Sequence, residues 1–517
     1  MKTIGSRQAR NDAARGIPDH PLQKTKNAVN RLRSGFPCAF LLVALVGCHA
    51  PAPPSAPVDS ASATQVAITP LVDDLQQRTF RWFWDNTRED NGLIPDRTPY
   101  AEPFSSIASI GFGLTAYGIG VEHGWVTREE AAQRTLKVLR FLRSLPQGSS
   151  FEDDAGYHGF FYHFIGLANG RRYARWVEVS SVDTSLLLGG VLFAQSYYDG
   201  EGPVEGEIRD LADQLYRNVE WPWLQERPPL ISMGWVPEDG VISHDWAGYN
   251  EAMLVYVLAL GSPTHPVAPD AWNAWTQTYD RSFGEFHGQT YLAFGPLFGH
   301  QYSHAWIDFR GIRDDWMRRH DFDYFENSRR AALAQRDYAI ANPMGWNAYG
   351  EDIWGLTASD GPQATTQVYN LQPREFRRYS ARGAGLDADF DDGTLAPTAA
   401  AASIAFAPEI VMPAIKAMHD RFGERIYREY GFIDAFNPSF NYPDVPLKTG
   451  HLVADFGWVD DNYIGIDQGP IVLMIENYRN GFVWDVMKRN PYIRKGLERA
   501  GFTGGWLDTP MPAKVAQ

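Results

Sequence analysis

Between Leu71 and Arg489 the sequence is mostly a succession of helical segments, roughly a dozen, with long aromatic loops between alternate helices and few strand signals. That pattern limits the fold more than any single motif. So many helices must bury their apolar stripes against one another. The expected class is all-α: an (α/α)6 barrel, a toroid of paired helices, with long aromatic loops and a few short strands. An irregular all-α arrangement has the same helix count, so the count leaves that alternative open.

The first helix is expected over 71–86, with Leu71, Leu75, Phe80, Phe83 and Trp84 as its apolar marks. A second covers 105–122, with Ser105 or Ser106 as N-cap. Thr127-Arg128-Glu129-Glu130 is a capping box that opens a third, to about 145. Others are expected over about 180–198, 205–219, 251–260, 268–279, 323–340, 398–406, 408–422, 465–478 and 484–489. Short strands are expected at 160–164 and 174–177. Phe294 to Trp306 is read as a dense polar-aromatic stretch, and Trp346 to Asp360 as a loop.

Ahead of the helices the chain changes character. Arg31 and Arg33 precede an apolar run from Phe36 to Gly47 that ends on Cys48. A basic stretch before a short apolar one is the pattern of an export signal, and the run is too short to span a bilayer. Leu45-Val46-Gly47-Cys48 resembles the bacterial lipobox, which makes Cys48 the expected lipidation site; an uncleaved anchor is the alternative. His49, not Asp, follows Cys48, so the expected location is the periplasm or cell surface, on the outer membrane, held through an N-terminal lipid only. The Pro/Ser/Ala-rich residues 49–67 form an extended tether. The expected organisation is therefore a signal region over 1–48, a tether over 49–67 and a single domain over 68–517.

Cys38 and Cys48 are the two cysteines, which excludes a disulfide framework or a Cys-based metal site from the domain. The formal net charge is −15, and removing residues 1–47, with eight Lys/Arg against two Asp, leaves −21. Nucleic-acid binding needs a basic footprint and is not expected.

The sequence contains no P-loop, no dinucleotide fingerprint, no His-Glu-x-x-His and no Gly-x-Ser-x-Gly. His300 and His304 stand four apart and can share a helix face, but no third metal ligand accompanies them. Hydrogen bonding to a polar substrate is the preferred reading, with a structural role beside it. No metal and no cofactor are expected.

What remains is carboxylates among aromatics. Aromatic residues make up 14% of the chain, and exposed aromatic faces are the usual platform for uncharged sugar rings, although the core absorbs most of them. Glycoside hydrolysis needs a protonated acid and a second carboxylate across the ring. The candidates are Glu178, Asp183, Glu251, Glu351, Asp352, Asp360, Asp460, Asp461 and Asp467. In Asp245-Trp246-Ala247-Gly248-Tyr249-Asn250-Glu251, one carboxyl stands between an aromatic cluster and an apolar helix, where its pKa can rise. A helix start works against that rise, so Glu251 needs desolvation by Trp246 and Tyr249. For Asp183 and Asp467 a capping role and a catalytic role stay equally open.

Several motifs together are similar to a known family. They are Val182-Asp183-Thr184-Ser185-Leu186-Leu187, Gly248-Tyr249-Asn250-Glu251-Ala252-Met253, Leu260-Gly261-Ser262-Pro263-Thr264-His265-Pro266, Phe298-Gly299-His300-Gln301-Tyr302-Ser303-His304, Trp354-Gly355-Leu356-Thr357-Ala358-Ser359-Asp360 and Gly465-Ile466-Asp467-Gln468-Gly469-Pro470. The chain resembles the bacterial "putative glucoamylase" family, which includes glycoside hydrolase family 144, the β-1,2-glucanases, over about residues 70–502. The resemblance implies an (α/α)6-barrel catalytic domain and an inverting, metal-independent hydrolase of β-1,2-glucan, cutting internally or releasing sophorose from an end. It implies Glu251 as general acid and Asp183 as a second acidic residue tied to activity, with Glu351 and Asp467 in reserve for the base. Trp246, Trp306 and Trp354 are expected to stack glucose faces, and Tyr249, His300, Gln301, His304 and Gln468 to line the substrate site. The alternatives are an α-glucan exo-hydrolase, as the glucoamylase label suggests, and a surface lipoprotein that binds glycans without cutting them. A monomer with a glucan or oligosaccharide as its partner is expected.

Overall fold

The computed structural model describes residues 67–99, 103–150, 152–386 and 390–510. The signal region 1–48, with Cys38 and Cys48, and the tether up to residue 66 lie outside the described residues. Ile68–Gln517 is one compact unit.

Six helices form an inner ring: Ile107–Glu122, Ser181–Tyr197, Met253–Gly261, Phe298–Trp306, Pro397–Ala401 and Gly465–Asn480. Each packs on the next, and the last packs on the first. Between Phe298–Trp306 and Pro397–Ala401 the join is made by Gln301, whose amide donates to the Ala399 carbonyl (2.8 Å) and to Ser403 Oγ (2.9 Å). These helices are apolar on every side because both faces are covered. Met253–Gly261, for example, is buried along its whole length. Two of them touch backbone to backbone. A Cβ on Gly111 would lie 2.1 Å from the Leu186 carbonyl oxygen, and one on Gly190 would lie 2.0 Å from that of Gly111, so only glycine permits this crossing.

Outside this ring stand Pro70–Asn86, Arg128–Ser144, Pro203–Arg217, Tyr324–Ala341, Pro408–Phe422 and Pro491–Arg499, each against an inner helix. They are one-sided: Pro203–Arg217 buries Ile208, Ala212, Leu215 and Tyr216 and turns its charges to water. The result is an (α/α)6 barrel. The strands are short antiparallel pairs, plus two three-stranded sheets, and they tie loops together just ahead of the inner helices. Phe104–Ser106 pairs with Phe164–Gly166, Val179–Ser180 with Gly234–Val236, and Tyr463–Ile464 with Arg97–Thr98.

The capping box at Thr127 is present, with both reciprocal hydrogen bonds. Other expectations shift. The second helix starts at Ile107, because Ser105 and Ser106 pair in a strand, and the Ser106 side chain makes no capping bond. The expected strand at 174–177 is a turn, and the strand falls instead at Val179–Ser180. The 294–306 stretch contains an inner helix, Phe298–Trp306, whose polar side chains bond to neighbouring helices and so mask its periodicity. The expected helix at 398–406 ends at Ala401. Pro491–Arg499 closes the outer ring beyond the last expected helix.

One buried ion pair pins the long connection before Pro397. Arg382 and Asp392 have fully buried side chains and meet through two bonds, Nε to Oδ1 at 2.7 Å and Nη2 to Oδ2 at 2.9 Å. The remaining guanidinium protons reach the carbonyls of Ser359, Ser380, Arg377 and Arg378. Removing one partner strands the other charge in the interior. Arg382→Ala is therefore expected to cost about 3–5 kcal/mol, read as a fall in the denaturant midpoint.

Candidate active site

Acids gather at the N-terminal ends of the inner helices. Asp183 lies in the first turn of Ser181–Tyr197 and Asp467 in the first turn of Gly465–Asn480. Glu251 sits two residues ahead of Met253–Gly261.

The segment that carries Glu251 is fixed from several sides. Trp246 Nε1 donates to Ser181 Oγ (2.8 Å), and Tyr256 Oη donates to the Trp246 carbonyl (2.8 Å). Ser303 Oγ donates to the Glu251 carbonyl (3.1 Å) and accepts from the Leu254 amide (3.1 Å). The side chain is left unusually free: Glu251 is 9% exposed, and its Oε2 has no hydrogen-bond partner. Burial pushes its carboxyl up to about 7 against the pull of its own backbone amide, and the charge of Asp183 adds to the rise. A carboxylic acid still protonated near neutral pH, with an unpartnered oxygen, is equipped to give a proton away.

Asp183 has the opposite surroundings. Ser180 Oγ donates to its Oδ2 (2.6 Å), and its backbone amide is capped by the same hydroxyl (3.1 Å). His163 Nε2 stands 3.4 Å from Asp183 Oδ1, while His163 Nδ1 bonds to Glu178 Oε1 (3.1 Å). Burial alone would strip the proton from this imidazole. The charges of Asp183 and Glu178 outweigh it and lift His163 to about 9, so Asp183 faces a cation at neutral pH. Glu251 is thus buried with Oε2 unpartnered, whereas Asp183 accepts from Ser180 and faces the His163 cation.

A second group lies around Arg97, whose Nη1 donates to Asp360 Oδ2 (2.7 Å) and Nε to Asp96 Oδ2 (2.9 Å). The Asp360 amide donates to Asp434 Oδ2 (2.7 Å), and Asn462 Nδ2 bridges Asp360 and Asp460 (3.1 and 3.2 Å). Burial, reinforced by Asp360, pushes Asp434 up to about 7. Burial also raises Asp460 and Asp467 well above the carboxylate range, with Asp434 adding to both. The buried Tyr302 phenol responds to Asp467, Glu251 and Asp183 together, so it stands near both acid groups.

Two sets of side chains bring ligand atoms within 4.8 Å of one another, as a cation would need: His163, Glu178 and Asp183, and Asp360, Asp434 and Asp460. In the first the imidazole already joins the two acids, and in the second the Arg97 guanidinium already contacts Asp360.

Other expected residues form the wall behind these acids. Trp246, Trp306 and Trp354 are 2%, 0% and 0% exposed, so none offers an open face to a sugar. Trp306 stacks on Phe112 and donates to Thr115 Oγ1 (2.9 Å). Tyr249 stacks on Tyr324, and its hydroxyl pairs with His300 Nδ1 (3.1 Å). His300 Nε2 meets the Phe294 carbonyl (3.2 Å), and His304 Nε2 meets Ser328 Oγ (3.1 Å). Burial lowers both histidines to about 3, which keeps them neutral. Gln301 is spent on the neighbouring inner helix, as described above. Gln468 donates to the Phe432 carbonyl (3.0 Å) and keeps a buried Oε1 without a partner. Glu351 is on the surface, its side chain 69% exposed and paired with Arg336, and so drops out as a reserve base.

Asp434 and His163 escaped the sequence reading. Both carry a signal that could have found them, a lone charged residue inside an apolar run: Phe432-Ile433-Asp434-Ala435-Phe436 and Phe161-Tyr162-His163-Phe164-Ile165. Arg97 sits in a turn-rich loop with no such signal.

A family model described as "Putative glucoamylase" matches residues 243–491. A curated relative from Parabacteroides distasonis, an exo β-1,2-glucooligosaccharide sophorohydrolase acting at the non-reducing end, is 31% identical over an alignment of 470 positions that covers 85% of this chain. The chain spans 59% of the length of that relative. A crystal structure of a putative glucoamylase from Bacteroides uniformis superposes with a TM-score of 0.71 at 33% identity, covering 84% of this chain and 98% of the other. An endo-β-1,2-glucanase from Chitinophaga pinensis, solved with sophorotriose and glucose, superposes with a TM-score of 0.70 at 27% identity, over 84% of this chain and 99% of the other.

Proposed function

The chain belongs to the putative glucoamylase family, and from that premise we propose that it is a glycoside hydrolase of β-1,2-glucan that inverts the anomeric centre. The observation that carries this reading is Glu251, a buried acid with an unpartnered oxygen beside the charge of Asp183. Glu251 protonates the glycosidic oxygen as the bond to C1 breaks. Asp183, which accepts a hydrogen bond from Ser180 and faces the His163 cation, takes a proton from the attacking water directly or through a water chain. In an inverting enzyme the water occupies the space between the two carboxyls and enters from the face opposite the leaving group. Asp467 makes a poorer base, because burial and Asp434 hold its proton on. It and Gln468 each keep a buried side-chain oxygen without a partner, which supports a role in binding sugar hydroxyls. The reaction needs no metal or cofactor.

The test is product analysis over time on linear β-1,2-glucan and on starch. Cleavage of the β-glucan alone supports the reading. Early products of mixed length mark internal cutting, and sophorose from the outset marks release from an end. Cleavage of starch alone transfers the protein to the α-glucan reading that the family label favours. Cleavage of neither overturns both and leaves glycan binding.

The same proposal includes a lipid on Cys48 that tethers a monomeric catalytic domain to the outer membrane, facing the periplasm or the cell surface. Cys48→Ala is expected to move the protein from the membrane pellet to the soluble fraction. Retention in the pellet would point to the uncleaved apolar segment as the anchor.

A further inference from the structure

Trp176 is the described tryptophan that remains substantially open, at 39% exposure. A single exposed apolar side chain is ordinary and needs no explanation. Here the turn that carries it is held by unusual means. Arg172, with a side chain 0% exposed, donates Nε to the Val177 carbonyl (2.6 Å) and Nη2 to the Arg175 carbonyl, so it grips the residues on either side of Trp176. Glu238 holds the other edge of that guanidinium (3.1 Å), and the Tyr162 ring lies under it (4.8 Å). Burying a charge to fix two carbonyls of one turn makes sense if that turn must present its side chain in a set place.

The direction of presentation is given by the ring contacts. Trp176 meets Phe164 edge-on at 5.8 Å, and Phe164 stacks on His163 at 3.9 Å with 19° between planes. His163 bridges Glu178 and Asp183. One layer of rings therefore separates the open indole from the imidazole that faces Asp183.

We infer that Trp176 is a stacking platform for a glucosyl unit of the substrate, at the outer edge of the cleft on the Asp183 side. A β-linked glucopyranose carries its hydroxyls around its rim and exposes C–H groups on its faces. An indole fixed in place covers such a face with little loss of side-chain freedom. Being remote from the bond that breaks, the platform serves chains long enough to reach it and gives short ones nothing. This inference rests on the hydrolase reading above.

The test compares wild type, Trp176→Ala and Trp176→Phe on β-1,2-linked oligosaccharides of increasing length. For long chains kcat/KM is expected to fall about three- to tenfold in the alanine variant, through KM, and to recover largely in the phenylalanine variant. The deficit is expected to shrink as the chain shortens. A wild type that cleaves the glucan, with an alanine variant that matches it at every length, overturns the platform and leaves the hydrolase standing. A deficit equal at all lengths, or one that phenylalanine does not reduce, also overturns it, since that is the mark of a general disturbance of the turn. A wild type that neither binds nor cleaves these chains overturns both.

Discussion

Glu251→Gln is expected to lower kcat on β-1,2-glucan by about 10²–10⁴-fold while substrate binding persists, because the amide keeps the shape of the side chain and loses the proton that the leaving oxygen needs. Measuring kcat by product release and Kd by calorimetry on the same preparation separates the two quantities. The variant is also expected to be more stable than wild type above neutral pH. Burial raises the Glu251 carboxyl from 4.5 to about 7, so folding favours its protonated form. The stability associated with that proton is complete below about pH 4.5 and is lost as the pH rises through about 7. Glutamine is neutral throughout. The gap in Tm between variant and wild type is therefore expected to widen from about pH 5 to about pH 8. A variant less stable than wild type at the higher pH would mean that the carboxyl is well solvated or paired, which contradicts its surroundings.

Asp183→Asn is expected to cost a similar factor in kcat, about 10²–10⁴, by removing the group that accepts the proton of water. It has a second, separable consequence. The charge of Asp183 is part of what raises Glu251, so its loss is expected to lower the pKa of Glu251. It also removes the leading support of the His163 cation, whose pKa is expected to fall from about 9. Both shifts have the same sign and can be followed by difference titration against the matching Glu251→Gln and His163→Gln backgrounds. A Glu251 titration unmoved by Asp183→Asn would mean that the two carboxyls do not share a site.

The barrel was legible in the sequence because its helices obey local rules. Outer helices such as Arg128–Ser144 announce themselves by capping and one-sided burial, and alternate long loops imply paired helices. Inner helices are harder. Gly465–Asn480 and Met253–Gly261 read as helices from their apolar length, but Phe298–Trp306 spends His300, Gln301, Ser303 and His304 on contacts with its neighbours and so reads only as a dense polar-aromatic stretch. A polar or aromatic side chain beside an apolar helix can serve a substrate or the packing, and His300, Gln301, Trp306 and Trp354 serve the packing. Asp183 and Asp467 lie in the first turns of inner helices, and Glu251 lies two residues ahead of one. His163 and Asp434 stand out locally as charged residues in apolar runs, but the partner of Asp434 lies far along the chain. Asp434 meets Asp360, 74 positions away, and no local pattern encodes that contact.

The open indole of Trp176 belongs to the same lesson from the other side. The resemblance implies Trp246, Trp306 and Trp354 as sugar platforms, and all three are buried, whereas Trp176 stays open in a loop with no motif to recommend it.

The central claim is that Glu251 is the protonated partner of an acid and base pair acting on β-1,2-glucan. Its most direct test is the pH dependence of kcat/KM on β-1,2-linked oligosaccharides, from roughly pH 4 to 9, since that quantity reports the free enzyme's essential groups. A bell is expected whose basic limb falls through about pH 7, as Glu251 loses its proton, and whose acidic limb marks protonation of the base. Activity that persists undiminished above about pH 8, or no hydrolysis at any pH, would contradict it.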